Sequence, residues 1–131
     1  MSQGTVKIRM PGNIKEKTLK DIKVNILGTE YSVSEIPQSK SNGYLSDADG
    51  YCDSSIHTIV IDDMSDHEGQ PGQKKDLKNY KNKVFRHEIV HAFLEESGIQ
   101  GECPWNTEEM VDWVALQLPK IVEACKEVGV M

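Results

Sequence analysis

Cysteine is scarce in this chain. Three of the 131 residues are Cys (Cys52, Cys103 and Cys125), and no two form a C-x-x-C pair. An odd, widely spaced set builds no disulfide framework, and it excludes a zinc site made from paired cysteines. Long apolar runs are missing as well. No stretch approaches the ~20 residues that a membrane helix requires, and Met1–Met10 has no apolar core of the kind that directs secretion. Positive charge is in deficit, with 15 Lys and Arg against 21 Asp and Glu, a formal net charge of −6. That balance opposes a nucleic-acid backbone as the main partner. The expectation is a monomeric protein of the cytoplasm, with neither membrane nor nucleic acid among its partners. One local exception is the lysine cluster Lys74, Lys75, Lys78, Lys81 and Lys83, which reads most simply as a solvated face.

What is present suffices for one core in a chain of this length. Residues 1–20 have weak patterning and read as a loosely attached arm, with at most a short strand at Thr5–Met10. A single domain is expected over 21–131. Ile22, Val24 and Ile26 alternate with Lys23 and Asn25, the period of a half-buried strand. A turn at Gly28-Thr29 and a return through Tyr31, Val33 and Ile36 make a hairpin of Ile22–Ile36. Residues 37–55, rich in Pro, Ser, Asn, Gly and Asp, read as a loop ending in Gly50-Tyr51-Cys52-Asp53. The β-branched run His57–Asp62 is a third strand, and Asp63–Lys75 a further loop.

From Asp76 the apolar period becomes helical, through Leu77, Tyr80, Val84, His87, His91 and Leu94, with Gly98 as its stop. Asn106 reads as the N-cap of the next helix, with Glu109 three residues on as its capping-box partner. Val111, Val114, Ala115 and Leu118 supply that helix's apolar stripe. Pro119 should end or kink it and open a last helix to about Val128. Strands first and helices last give an α+β fold: a short antiparallel sheet of about three strands packed on two helices.

The chemistry concentrates in His87-Glu88-Ile89-Val90-His91, an H-E-x-x-H motif inside the first helix. Positions i and i+4 share a helical face, so both imidazoles can bind one ion, Zn2+ above all. Glu88 is offset around the helix, where it can act as base towards water without being a ligand. Two ordinary surface histidines are the plainer reading. The apolar flanks Val84-Phe85 and Ala92-Phe93-Leu94 oppose it, because they make this a core helix, where unpartnered His and Glu are costly. A catalytic zinc takes three protein ligands, so the third comes from elsewhere. Glu108 and Asp112 stand at i and i+4 on the following helix, which suits a ligand and a carboxylate orienting a ligand histidine. Glu109, wanted by the capping box, is the alternative ligand. Both glutamates could instead simply favour the positive end of the helix dipole.

His87-Glu88-x-x-His91 followed by Glu108-x-x-x-Asp112 resembles the gluzincin pattern of thermolysin-like peptidases. That resemblance implies Glu108 as third ligand and Asp112 behind a ligand histidine. A short sheet, an H-E-x-x-H helix and a Glu-bearing helix ending near a proline (Leu118-Pro119 here) are similar to the small ImmA/IrrE-type peptidases and their phage and mobile-element relatives. Over about residues 21–125 the chain also resembles phage and prophage proteins with a Gly-Tyr-Cys-Asp segment, an Ile-Val-Ile-Asp-Asp strand and a Glu-Glu-Met-Val-Asp-Trp helix. The resemblance implies a minimal zincin-like core, a protein or peptide substrate, and pairing of that substrate along the strand His57–Asp62. Two features depart from the family: Asp112 stands where Asn is usual, and no DNA-binding helix-turn-helix is visible.

Other polar and aromatic residues have plainer roles as well as chemical ones. His57 and His67 could add ligands or transition-state donors, and Tyr51 and Tyr80 could stabilise an oxyanion. Cys103 could place a thiol near the site. Ordinary polar or packing roles are simpler for each, and Trp105 and Trp113 read as packing residues. Two functions remain: a zinc metallopeptidase with Glu88 as general base, or a non-catalytic, zinc-stabilised protein that binds a host or phage partner. A purely structural zinc has no use for Glu88, which favours the first.

Overall fold

The alternation at Ile22, Val24 and Ile26 forms a strand, and it opens the part of the chain that the computed structural model describes, residues 22–99 and 101–131. The expected arm at 1–20, with its strand at Thr5–Met10, lies outside the described residues. Strand β1 (Ile22–Ile26) turns through Leu27 and Gly28 into β2 (Thr29–Ile36). Both turn residues have positive φ, +50° and +97°, so the tight two-residue hairpin turn is Leu27-Gly28, one residue earlier than expected. Strands β3 (Gly50–Asp53) and β4 (Thr58–Asp62) complete the sheet.

The strand order is β1-β2-β4-β3, with β2 and β4 parallel and the other pairs antiparallel. The fold is α+β, but the sheet has a fourth strand and one parallel pairing. Its extra strand is Gly50–Asp53, whose Gly and Asp ends disguise it as loop; Tyr51 and Cys52 pair with Val60 and Ile59. The parallel pairing arises because β4 inserts between β2 and β3. A row of Ile22, Val33, Ile59 and Cys52 therefore crosses all four strands on one face. Ile26, Tyr31, Val33, Ile59 and Ala92 form the core there, with Val24, Cys52, Phe85 and Ile89 packed on it. Burying each large aliphatic side chain is worth about 1.5–3 kcal/mol. Residues Ile59 to Asp62 of β4 are all buried, as suits a strand covered on both faces. Hydrogen-bonded on both sides, β4 offers no edge to a substrate; the edges are β1 and β3.

Helix α1 (Leu77–Glu96) is capped by Asp76, whose side chain accepts from the Asn79 amide. It ends in a Schellman turn: Ile99 N–H donates to Leu94 O, Gly98 N–H to Glu95 O, and Gly98 has φ +85°. Val84, Glu88 and Ala92 are its buried row, facing the sheet. Helix α2 (Glu108–Glu127) starts one residue later than expected, because Thr107 is the N-cap and its hydroxyl accepts from Met110 N–H at 3.1 Å. Asn106 belongs to the preceding turn, its amide bonded to Cys103 O. No capping box forms, since the position that would need Glu or Gln is Met110.

Pro119 neither ends α2 nor splits it; the helix runs through. The missing amide at 119 leaves the Ala115 carbonyl, four residues earlier, without its helical donor. Arg86 of α1 supplies the replacement, its Nε–H donating to Ala115 O at 2.6 Å. This bond also ties the two antiparallel helices together beside the histidine motif. No helix of the described residues is long and apolar enough to cross a membrane.

Ala115 is fully buried, so Arg86→Met should cost about 1–3 kcal/mol through the orphaned carbonyl. In a Pro119→Ala background the restored amide should remove most of that cost. Urea denaturation of the two single variants and the double variant measures the coupling. Equal cost of Arg86→Met in both backgrounds would dismiss this account of the helix.

Candidate metal centre

His87 and His91 stand one turn apart on α1, their rings edge to face with centroids 4.9 Å apart. The first residue of α2, Glu108, reaches both: Oε1 lies 3.0 Å from His87 Nε2, and Oε2 lies 3.1 Å from His91 Nε2. Asp112, one turn further along α2, holds the other side of His87, with Oδ1 3.1 Å from Nδ1. Lys83, one turn before His87, places its Nζ 2.9 Å from the same oxygen. First the Lys83 ammonium and then His87 keep the Asp112 carboxyl below the usual carboxylate range, against partial burial. The result is a chain from Lys83 through Asp112 to His87 that fixes the imidazole ring.

These bonds decide what the cluster can hold. In the tautomer whose Nδ1–H donates to Asp112, the Nε2 lone pair faces the Glu108 carboxylate 3.0 Å away, a pair that either a proton or a metal cation bridges. Ligand atoms about 2.0–2.1 Å from a tetrahedral zinc are about 3.3 Å apart. The His–Glu108 separations are within a few tenths of that, and donor atoms of all three residues lie within 4.8 Å of one another. Two imidazoles and one carboxylate are also a donor set that zinc accepts. The residues present fit the ion. Glu109 is exposed and stands outside the cluster.

Glu88, one residue around the helix from His87, faces the sheet, and only 6% of it is exposed. Burial pushes its carboxyl up to about 7 from 4.5, with His87 opposing and Glu108 reinforcing the shift. Gly50 explains how a carboxylate fits there. A Cβ at that position would stand 3.0 Å from Val84 Cγ1, 3.1 Å from Ile61 Cγ2 and 3.2 Å from Glu88 Cγ. β3 can approach α1 so closely only because residue 50 has no side chain. A cavity of about 200 Å³ opens between β3, α1 and α2, with Gly50, His87, Glu88, Glu108 and Asp112 in its wall. Tyr80 and Asp49 share that wall, and the Tyr80 hydroxyl donates to the Asp49 carboxylate.

The remaining candidates are elsewhere. His57 sits in the turn before β4 with its ring 5.2 Å from that of Tyr31. His67 places Nε2 3.2 Å from the buried Asp62 carboxylate. Tyr51 lies on the sheet face opposite Gly50 and Cys52, where its ring meets Tyr44. Cys103 is not part of the donor cluster. Cys52 is no nucleophile, since burial and the neighbouring Glu88 push its thiol up to about 12. Trp105 and Trp113 are 51% and 54% exposed, so the packing role expected of them is not theirs. Sequence reasoning overlooked Gly50, Asp49 and the pairing role of Lys83. The signal for Lys83 was present in its i, i+4 spacing to His87.

Loss of a ligand should cost more than loss of a group behind one, itself typically worth 10–100-fold in metal affinity. Glu108→Gln should therefore weaken zinc binding at least ~10-fold, and Glu109→Gln should leave it within about twofold. Competition titration with a chromophoric chelator reads both, and the reverse ranking would move the ligand by one residue. A second expectation concerns Glu88 in chelator-treated protein. Its raised carboxyl keeps the folded state protonated while the unfolded chain ionises, so stability falls as pH rises from 4.5 towards about 7. Glu88→Gln removes that loss. Its melting temperature should exceed that of the parent at about pH 8 and match it near pH 4; a constant gap across pH would contradict this. No protein-family model, curated protein or solved structure matches the chain, and the chemistry of the site rests on its own donor atoms.

Proposed function

We propose that this chain is a zinc metallopeptidase that hydrolyses peptide bonds, with His87, His91 and Glu108 holding the ion and Glu88 as general base. The observation that carries the reading is the position of Glu88: a buried carboxylate on the wall of the same cavity as the donor cluster, yet not one of its donors. When bound, zinc supplies Lewis acidity, polarising a carbonyl and lowering the pKa of water towards ~7.

The chain's own residues then divide the work. Lys83 and Asp112 hold the His87 ring in the orientation that aims Nε2 at the donor cluster. Glu88 takes a proton from the attacking water and returns it to the leaving amine. A carboxyl raised to about 7 suits both halves of that exchange at neutral pH. Three free thiols suit a reducing compartment, and with the resemblance to phage and mobile-element peptidases they support action in a host cytoplasm.

The non-catalytic alternative draws on the modest size of the cavity, about 200 Å³, below the ~300–1,000 Å³ of typical ligand pockets. One variant separates the two. Glu88→Gln should keep the zinc and the fold while cleavage of a quenched fluorescent peptide library falls ~10²–10⁴-fold. His91→Ala should lose zinc and activity together. A Glu88→Gln protein that retains zinc and full biological activity would make the protein a binder.

A further inference from the structure

Beside the candidate metal centre runs a second, larger cavity of about 730 Å³, between the start of α1, the segment before it, and α2 around Pro119. Its walls carry Lys74, Lys75, Lys83, Arg86 and Lys120 against a single acid, Asp76. On a chain of net charge −6 this is a local reversal of sign. Some of these groups are already engaged: Lys83 with Asp112, Arg86 with the Ala115 carbonyl, and Asp76 as the cap of α1. Lys74 lies over the Tyr80 ring, 4.9 Å from its centroid. Lys75 and Lys120 are exposed and make no ion pair among the described residues. The two cavities share Tyr80 and Lys83 in their walls, so they lie side by side.

We propose that this groove binds an acidic stretch of the polypeptide substrate, next to the bond that is cut. The proposal rests on the peptidase reading for its link to the metal centre, and gives that reading a substrate class: chains with Asp or Glu flanking the scissile bond. Lysines without partners supply attraction to carboxylates, concentrated by the groove walls. Leu116 and Pro119, also in the wall, offer an apolar strip for a side chain between the acids. A polynucleotide fits less well. Tyr80, the aromatic residue of the groove, is already covered by Lys74, so no open ring remains for base stacking. The carboxylates of Asp49, Glu108 and Asp112 line the adjoining cavity and repel a backbone charged at every unit, whereas a peptide can place its acids in the groove alone.

Binding is read by fluorescence anisotropy on zinc-loaded Glu88→Gln protein and on chelator-treated parent, so that no cleavage is needed. The probes are a labelled glutamate-rich peptide, its glutamine counterpart, and a single-stranded oligonucleotide of equal length. The glutamate peptide should bind at least ~10-fold tighter than the glutamine peptide at low salt, and the gap should close as salt rises. Lys75→Glu combined with Lys120→Glu should abolish the preference without changing zinc content, and the milder Lys75→Gln with Lys120→Gln should reduce it. Both lysines are exposed, and a melt confirms that each variant is folded. Equal affinity for the two peptides, tighter binding of the oligonucleotide, or an unchanged preference in both folded variants would overturn the groove. A protein that binds the glutamate peptide but cuts nothing keeps the groove and loses the peptidase; one that cuts neutral peptides as readily as acidic ones keeps the peptidase and loses the groove.

Discussion

The bond from Arg86 to the Ala115 carbonyl sets the relation between the two helices. Pro119 leaves that carbonyl without its helical donor, and Arg86 replaces it from α1, tying α1 to the element that delivers Glu108 and Asp112. With it, α2 runs on as one helix, antiparallel to α1, in a register that puts Glu108 against both histidines and Asp112 behind one of them. Arg86 is the residue immediately before His87, so the group that repairs α2 and the proposed metal ligand move as one. A defect far along α2 is thereby corrected by the same turn of α1 that carries the chemistry.

Helix α1 is used on two sides. The row of Val84, Glu88 and Ala92 closes the core against the sheet, while His87 and His91 face α2. Adjacent residues in a helix are about 100° apart, and that angle separates Glu88, the proposed base, from His87, a proposed ligand. The consequence is different environments for neighbouring residues: burial that raises the Glu88 carboxyl, and a polar, partly open setting in which His87 Nε2 meets the Glu108 carboxylate. Gly50 is what permits the dry side, since any side chain there would meet Val84, Ile61 and Glu88 together.

How much of this was legible follows from how local each signal is. The hairpin, both long helices and the H-E-x-x-H spacing are written within a few turns of chain. Asp76, Ser97 and Gly98 bound α1 where expected. The choice of Glu108 over Glu109 as the residue that meets the histidines was also readable, from the shared face with Asp112, although the capping box offered in its support does not exist. What the sequence hid depends on distant partners. Gly50–Asp53 becomes a strand only because Ile59 and Val60 arrive to pair with it. The central place of β4, the continuity of α2 past Pro119 and the link from Lys83 to Asp112 all need a residue from another element, and no periodicity encodes that.

Glu108 stands at the first position of α2, which has its own consequence for how fast an ion can come and go. Helix ends open far more often than helix centres, without any unfolding of the whole. The third donor can therefore swing away while His87 and His91 stay fixed in the middle of α1. For the zinc proposed to bind here, release is then a local event, set in part by the Thr107 hydroxyl and the Met110 amide it accepts from. An N-cap of this kind is worth about 1 kcal/mol, or roughly fivefold in the ratio of closed to open ends. On the proposed metal reading, a single threonine outside the donor set is thus the latch on exchange.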